Sequence, residues 1–98
     1  MKTVVTTSTF DRWLSGLQDR AARARILARI DRMEDGNFGD FKPVGQGVSE
    51  MRIHHGPGYR IYFAQRGPEW VILLAGGDKS TQRADIKAAL KMARELEI

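Results

Sequence analysis

Between Glu50 and Lys79, in the stretch EMRIHHGPGYRIYFAQRGPEWVILLAGGDK, the side chains of Arg52, His54, Arg60 and Lys79 stand among strand-like apolar runs. These residue types suit phosphate chemistry. Arginine's planar fork holds phosphate oxygens bidentately and offsets charge that builds on a pentavalent phosphorus, and histidine moves protons near neutral pH. Glu50 and Asp78 are the only acids close by, too few oxygen ligands for a hard cation, so neither a metal site nor a cofactor is expected. The reaction that fits is RNA cleavage by the substrate's own 2′-hydroxyl. A base removes its proton, the arginines stabilise the phosphorane, and an acid protonates the leaving oxygen; DNA lacks this nucleophile. Arg52, His54, Arg60 and Tyr62 are therefore the candidate catalytic residues. Tyr62 can donate a proton, stack on a base, or simply fill space beside Arg60.

The elements that position these groups follow from period-two alternation. In the run 48–55, Met51 and Ile53 point one way and Glu50, Arg52 and His54 the other. In the next run Tyr59, Ile61 and Phe63 form the apolar face, and Arg60 and Tyr62 the polar one. Gly56-Pro57-Gly58 between them is turn-like, so an antiparallel hairpin is expected, with Arg52, His54 and Arg60 on one open face. Glu50 then orients Arg52, and His55, on the apolar side, is a packed or turn-capping residue. The run Trp70 to Ala75 is apolar throughout, as in a strand covered on both sides. It ends in Gly76-Gly77, where a backbone without Cβ atoms can approach a ligand.

Upstream, Val4, Val5, Thr6 and Thr7 predict a short first strand over 2–7. Ser8 or Thr9 caps a helix whose apolar face is Phe10, Trp13, Leu14 and Leu17. A second helix runs from near Arg20 to about Asp35 and buries Ala22, Ile26, Leu27, Ile30 and Met33. Arg25, Arg29 and Arg32 line its other side, a stripe that suits a solvated face first and an acidic partner or nucleic acid second. Residues 36–43 have the composition of a loop, and Lys42 and Gln46 are expected to border the basic face. Asp78 or Ser80 caps a last helix carrying Ile86, Ala89, Leu90, Ala93 and Leu96. The order is β-α-α-β-β-β-α, an α+β class protein expected to be a single domain over 1–98.

Composition sets the outer limits. The chain has 98 residues, enough for one core, and 42% of them are hydrophobic. It has no cysteine, which excludes a disulfide framework and suits a reducing cytoplasm. No apolar run approaches the roughly 20 residues that span a bilayer, so no membrane role is expected. Sixteen Lys and Arg against twelve Asp and Glu give a net charge of +4, favouring an anionic partner.

The runs Glu50-Met51-Arg52-Ile53, Gly56-Pro57-Gly58-Tyr59-Arg60-Ile61-Tyr62-Phe63 and Leu73 to Gln82, LLAGGDKSTQ, together with Phe10 to Leu14 and Gly36 to Asp40, resemble the RelE/ParE superfamily of type II toxin-antitoxin toxins. The resemblance spans nearly the whole chain and is strongest to the HigB-like addiction module killer proteins. It implies a RelE-like fold, a small sheet with helices packed on one side, and metal-independent cleavage of messenger RNA in the ribosomal A site. Arg60 matches the arginine that contacts the scissile phosphate, Arg52 and His54 fall where the family places basic groups, and Lys79 falls near a further basic position. Lys42, Lys79 and Arg83 are then the RNA-binding candidates. Where RelE-like toxins often carry a tyrosine early in the last helix, this chain has Asp85-Ile86. The partners implied are a cognate helix-turn-helix antitoxin, the ribosome and mRNA, with operator DNA met only through the antitoxin. ParE-like members instead inhibit DNA gyrase without nuclease activity, and a shared fold does not choose between the two.

Overall fold

The β-branched N-terminus does form the first strand. In the computed structural model, which describes residues 1–96, β1 (Thr3–Thr6) is followed by α1 (Ser8–Gly16), α2 (Arg20–Glu34), β2 (Phe41–Gly45), β3 (Val48–Ile53), β4 (Tyr59–Arg66), β5 (Trp70–Gly77), a 3₁₀ turn (Lys79–Thr81) and α3 (Gln82–Glu95). The expected domain of 1–98 ends just past these described residues. The strands form one sheet in the order β1-β5-β4-β3-β2, with β1 parallel to β5 and the other neighbours antiparallel.

Alternation along β3 and β4 divides the core as expected. Met51, Ile53, Tyr59, Ile61 and Phe63 meet Phe10, Ala22, Ile26 and Met33 of α1 and α2. On the other face Tyr62, Ala64, Ile72 and Leu74 meet Ala89 and Ala93 of α3. Helices therefore cover both faces, not the one side implied by the resemblance, and this is why β5 is apolar at every core position. Opposite β4 the register jumps, with Phe63 facing Leu73 and Tyr62 facing Ala75. The extra residue is a bulge at Leu74, which puts Leu74 and Ala75 in the same cluster.

Three local expectations are corrected. β2, read as loop, is an edge strand paired with β3; Pro43 is tolerated there because an edge strand need not donate on its outer side. Leu27 is 48% exposed, since Ile26, Ile30 and Met33 already define the packed stripe and the next residue lies about 100° round the helix. The cap of α1 is Thr7: its Oγ1 accepts from the Phe10 N–H at 3.1 Å and donates to the Leu74 carbonyl at 2.7 Å, tying the helix start to β5.

The end of β5 is where the two helical layers close on the sheet. A Cβ on Gly76 would run into the Trp13 ring, and one on Gly77 into the Asp85 carboxylate. The glycine pair thus makes room for internal groups rather than for a ligand, correcting the expectation placed on it. It seats Trp13 against one face and the first turn of α3 against the other.

Candidate functional site

Antiparallel register sets Arg52 directly opposite Arg60 and Glu50 directly opposite Tyr62, all on the α3 face. Burial decreases along this double row. Glu50 is 1% exposed and Tyr62 wholly buried, whereas the side chains of Arg60 and Arg52 are 13% and 32% exposed. Glu50 holds both arginines, more than the single contact to Arg52 read from the sequence. Arg52 Nε donates to its Oε1 at 3.2 Å, Arg60 Nε lies 3.5 Å from the same oxygen, and Gln82 Nε2 of α3 donates to Oε2 at 2.8 Å. Of the two arginine contacts only that of Arg52 is a hydrogen bond; Arg60 Nε is buried with no hydrogen-bond partner among the described residues, so Glu50 holds Arg60 by charge alone. Arg60 uses Nη1 to donate to the Gly58 carbonyl at 2.9 Å, which sets the angle of the plane. One carboxylate against two guanidiniums leaves the site cationic.

Tyr62 is corrected from catalytic candidate to core. It packs in the α3-side cluster, its hydroxyl has no partner among the described residues, and burial pushes its phenol far above the ordinary range. A group with no access to solvent neither stacks on a substrate base nor exchanges a proton with it. Of the roles open to it, filling space beside Arg60 is the one it has.

His54 lies just past the end of β3, with its side chain 76% exposed and its Nε2 at 2.5 Å from Asp40 Oδ2. It shares a cleft of about 400 Å³ with Arg60, Lys79 and the turn Gly56-Pro57-Gly58. Arg52 stands beside this cleft through its pairing with Arg60. Lys42, on the edge strand across from Glu50, and Arg83, in the first turn of α3, are exposed and stand outside the cleft. His54 also lines a second cleft of about 290 Å³ against Arg25, Arg29 and Arg32 of α2. Arg29 is not a solvated member of its stripe. Its Nη1 donates to the Arg52 carbonyl at 2.8 Å and its Nη2 to the carbonyls of Phe38 and Asp40 at 3.2 and 3.3 Å, clamping the loop before β2 onto β3.

His55, expected to be packed or turn-capping, instead reaches the start of α2. Its Nε2 is 3.2 Å from Asp19 Oδ2, and Asp19 in turn caps α2 by accepting from the Ala22 N–H at 3.0 Å. The Ala22 hydrogen bond first, and His55 after it, hold the Asp19 carboxyl below its ordinary range. A carboxyl held low in the folded state stabilises the fold above its unfolded value of about 3.9 and ceases to do so as pH falls through its folded value. Asp19→Ala is thus expected to melt at a lower temperature than wild type at pH 7, with the difference shrinking below about pH 4. Thermal denaturation at several pH values checks this; a difference unchanged down to strongly acid pH would contradict it.

Asp40 and Gln82 are site residues that spacing did not single out, and Arg29, read as part of the α2 stripe, was not read as a clamp. Each acts across a gap in the chain, 14 residues for Asp40 to His54, 23 for Arg29 to Arg52 and 32 for Gln82 to Glu50, and nothing local signals such pairs.

Residues 12–97 match the family described as phage derived protein Gp49-like. The chain belongs to the Gp49-like family. This is a RelE-like family of type II toxin-antitoxin toxins, and membership implies an antitoxin partner. An uncharacterized protein of Haemophilus influenzae is 54% identical to this Gp49-like chain over 93 residues, which is 95% of this chain and 94% of that one. Among the described residues no helix of the Gp49-like protein is long and apolar enough to cross a membrane.

Proposed function

We propose that this Gp49-like protein is a HigB-like toxin that cleaves messenger RNA on the ribosome in the cytoplasm, and that its antitoxin, a helix-turn-helix protein, neutralises it by covering the basic face. The observation that carries the proposal is the cleft in which Arg60, ion-paired with the buried Glu50 carboxylate, stands with His54 and Lys79. Arg60, supported by Arg52, binds the scissile phosphate and stabilises the charge that grows on its oxygens. His54 takes the proton of the 2′-hydroxyl. The 2′-oxygen bonds to phosphorus, the bond from phosphorus to the 5′-oxygen breaks, and that oxygen takes up a proton from Lys79 or from water in the cleft. The products are a 2′,3′-cyclic phosphate and a 5′-hydroxyl. Lys42 and Arg83 extend the contact to neighbouring RNA phosphates, and operator DNA is met only through the antitoxin.

Timed labelling after induction tests this. Amino-acid incorporation is expected to stop before thymidine incorporation changes. The reverse order, with loss of plasmid supercoiling, would instead assign a gyrase target and overturn the proposal.

A further inference from the structure

The loop from Gly36 to Asp40 is constructed around one presentation, that of the Asp40 carboxylate to His54. Gly39 has a φ of +62°, and the place a Cβ would occupy is taken by the Arg29 guanidinium, whose nearest atom would lie 2.7 Å from it. The Gly39 N–H donates to Asn37 Oδ1 at 3.1 Å, closing the turn. The Asp40 carbonyl then accepts from two directions, from the Arg52 N–H at 2.9 Å and from Arg29 Nη2 at 3.3 Å. With its backbone held on both sides, Asp40 sets Oδ2 at 2.5 Å from His54 Nε2.

From this geometry we infer that Asp40 is a positioning residue for His54: by accepting from Nε2–H it selects one tautomer and leaves Nδ1 with the lone pair that takes the 2′-hydroxyl proton. The inference rests on the nuclease function proposed above. In a neutral imidazole one nitrogen donates and the other accepts, so engaging Nε2 as donor decides which nitrogen is the base. The charges around His54 give Asp40 a second task. Arg25, Arg29 and Arg32 approach from α2 and Arg52 from β3. Arg60, Lys79 and the neighbouring ring of His55 approach from the other cleft. A proton accepted into such surroundings adds positive charge to positive charge, and the Asp40 carboxylate offsets it. In keeping with this, the Asp40 carboxyl is held below its ordinary range, first by its hydrogen bond with His54, and also by the charges of Arg52, His54 and Arg29.

The test pairs a readout of the free protein with one of the reaction. Long-range ¹H–¹⁵N correlation spectra of the full-length protein, with His54 assigned by His54→Gln, are expected to show the Nε2–H tautomer alone in wild type. In Asp40→Ala the two tautomers should average, while its melting curve shows that the fold is kept. In single-turnover cleavage on programmed ribosomes, Asp40→Asn, which keeps an acceptor but removes the charge, is expected to lose roughly tenfold in rate at little change in KM. Averaged tautomers in a wild type that cleaves would overturn the inference and leave the nuclease standing, as would an Asp40→Ala protein that keeps the Nε2–H tautomer alone. A single tautomer in a wild type that does not cleave on ribosomes would overturn the nuclease, and with it the catalytic purpose assigned here to Asp40.

Discussion

Arg60→Ala is expected to lower the rate of RNA cleavage by roughly a hundredfold to a thousandfold, the range typical of removing one preorganised group that faces transition-state charge. The expectation follows from how Arg60 is held. Its side chain is only 13% exposed, its Nε faces Glu50 and its Nη1 is fixed on the Gly58 carbonyl, so little reorganisation is needed when charge develops in the cleft. The loss should fall on the chemical step, with a smaller change in KM. Arg60→Lys should recover little. A lysine offers one ammonium, which cannot face Glu50 and the phosphate at once, whereas the guanidinium does so from opposite edges of a plane. Removing Arg60 leaves Glu50 with Arg52 and Gln82 as partners, so the variant should remain folded. Single-turnover kinetics alongside thermal melting separate the two effects, and full activity in Arg60→Lys would show that only charge is required.

Glu50→Ala is expected to be the most destabilising single substitution at the site. Glu50 has a side chain 2% exposed and balances two guanidiniums, one of them largely buried. Breaking a buried ion pair by deleting one partner costs about 3–5 kcal/mol, because the charge left behind has neither water nor a counterion. The amide of Gln82 also loses its acceptor. In a protein of this size each kcal/mol shifts the melting temperature by roughly 4–8 °C, so the change should be plain in a denaturation curve. Glu50→Gln, which keeps an oxygen acceptor of the same reach, should fall between Ala and wild type. A loss below about 1 kcal/mol for Glu50→Ala would mean that the arginines are solvated without it, and the picture of Glu50 as the anchor of the site would be wrong.

Much of this arrangement was legible in the chain, and the parts that were not have physical reasons. The β3–β4 hairpin could be read because residue type alternates along it, with apolar Met51 and Ile53, then Tyr59, Ile61 and Phe63 packing under α1 and α2, against Glu50, Arg52 and Arg60 on the α3 face. β5 could be read as doubly covered because Val71 and Leu73 face one helical layer while Ile72 and Leu74 face the other. β2 was missed because it is a short edge strand, exposed along most of its length, and so carries no alternation. Tyr62 was assigned to the correct face with the wrong role. Alternation says which side of a sheet a residue points to, but how far α3 reaches over that side depends on the Gly77–Asp85 contact and on Gln82 reaching Glu50. The pairing of His54 with Asp40 was invisible for a related reason. It depends on a loop conformation set by Gly39 and Arg29 acting together, and no single segment contains both.

The measurement that bears most directly on the account is a map of new 5′ ends on one transcript after induced expression. The transcript is supplied in a translatable form and in a form lacking its start of translation, with wild type and Arg60→Ala compared. The account predicts new ends within the reading frame of the translated message alone, and none with Arg60→Ala. Growth arrest by the wild type with no new ends in either transcript would contradict it and assign the basic cleft to a target other than messenger RNA.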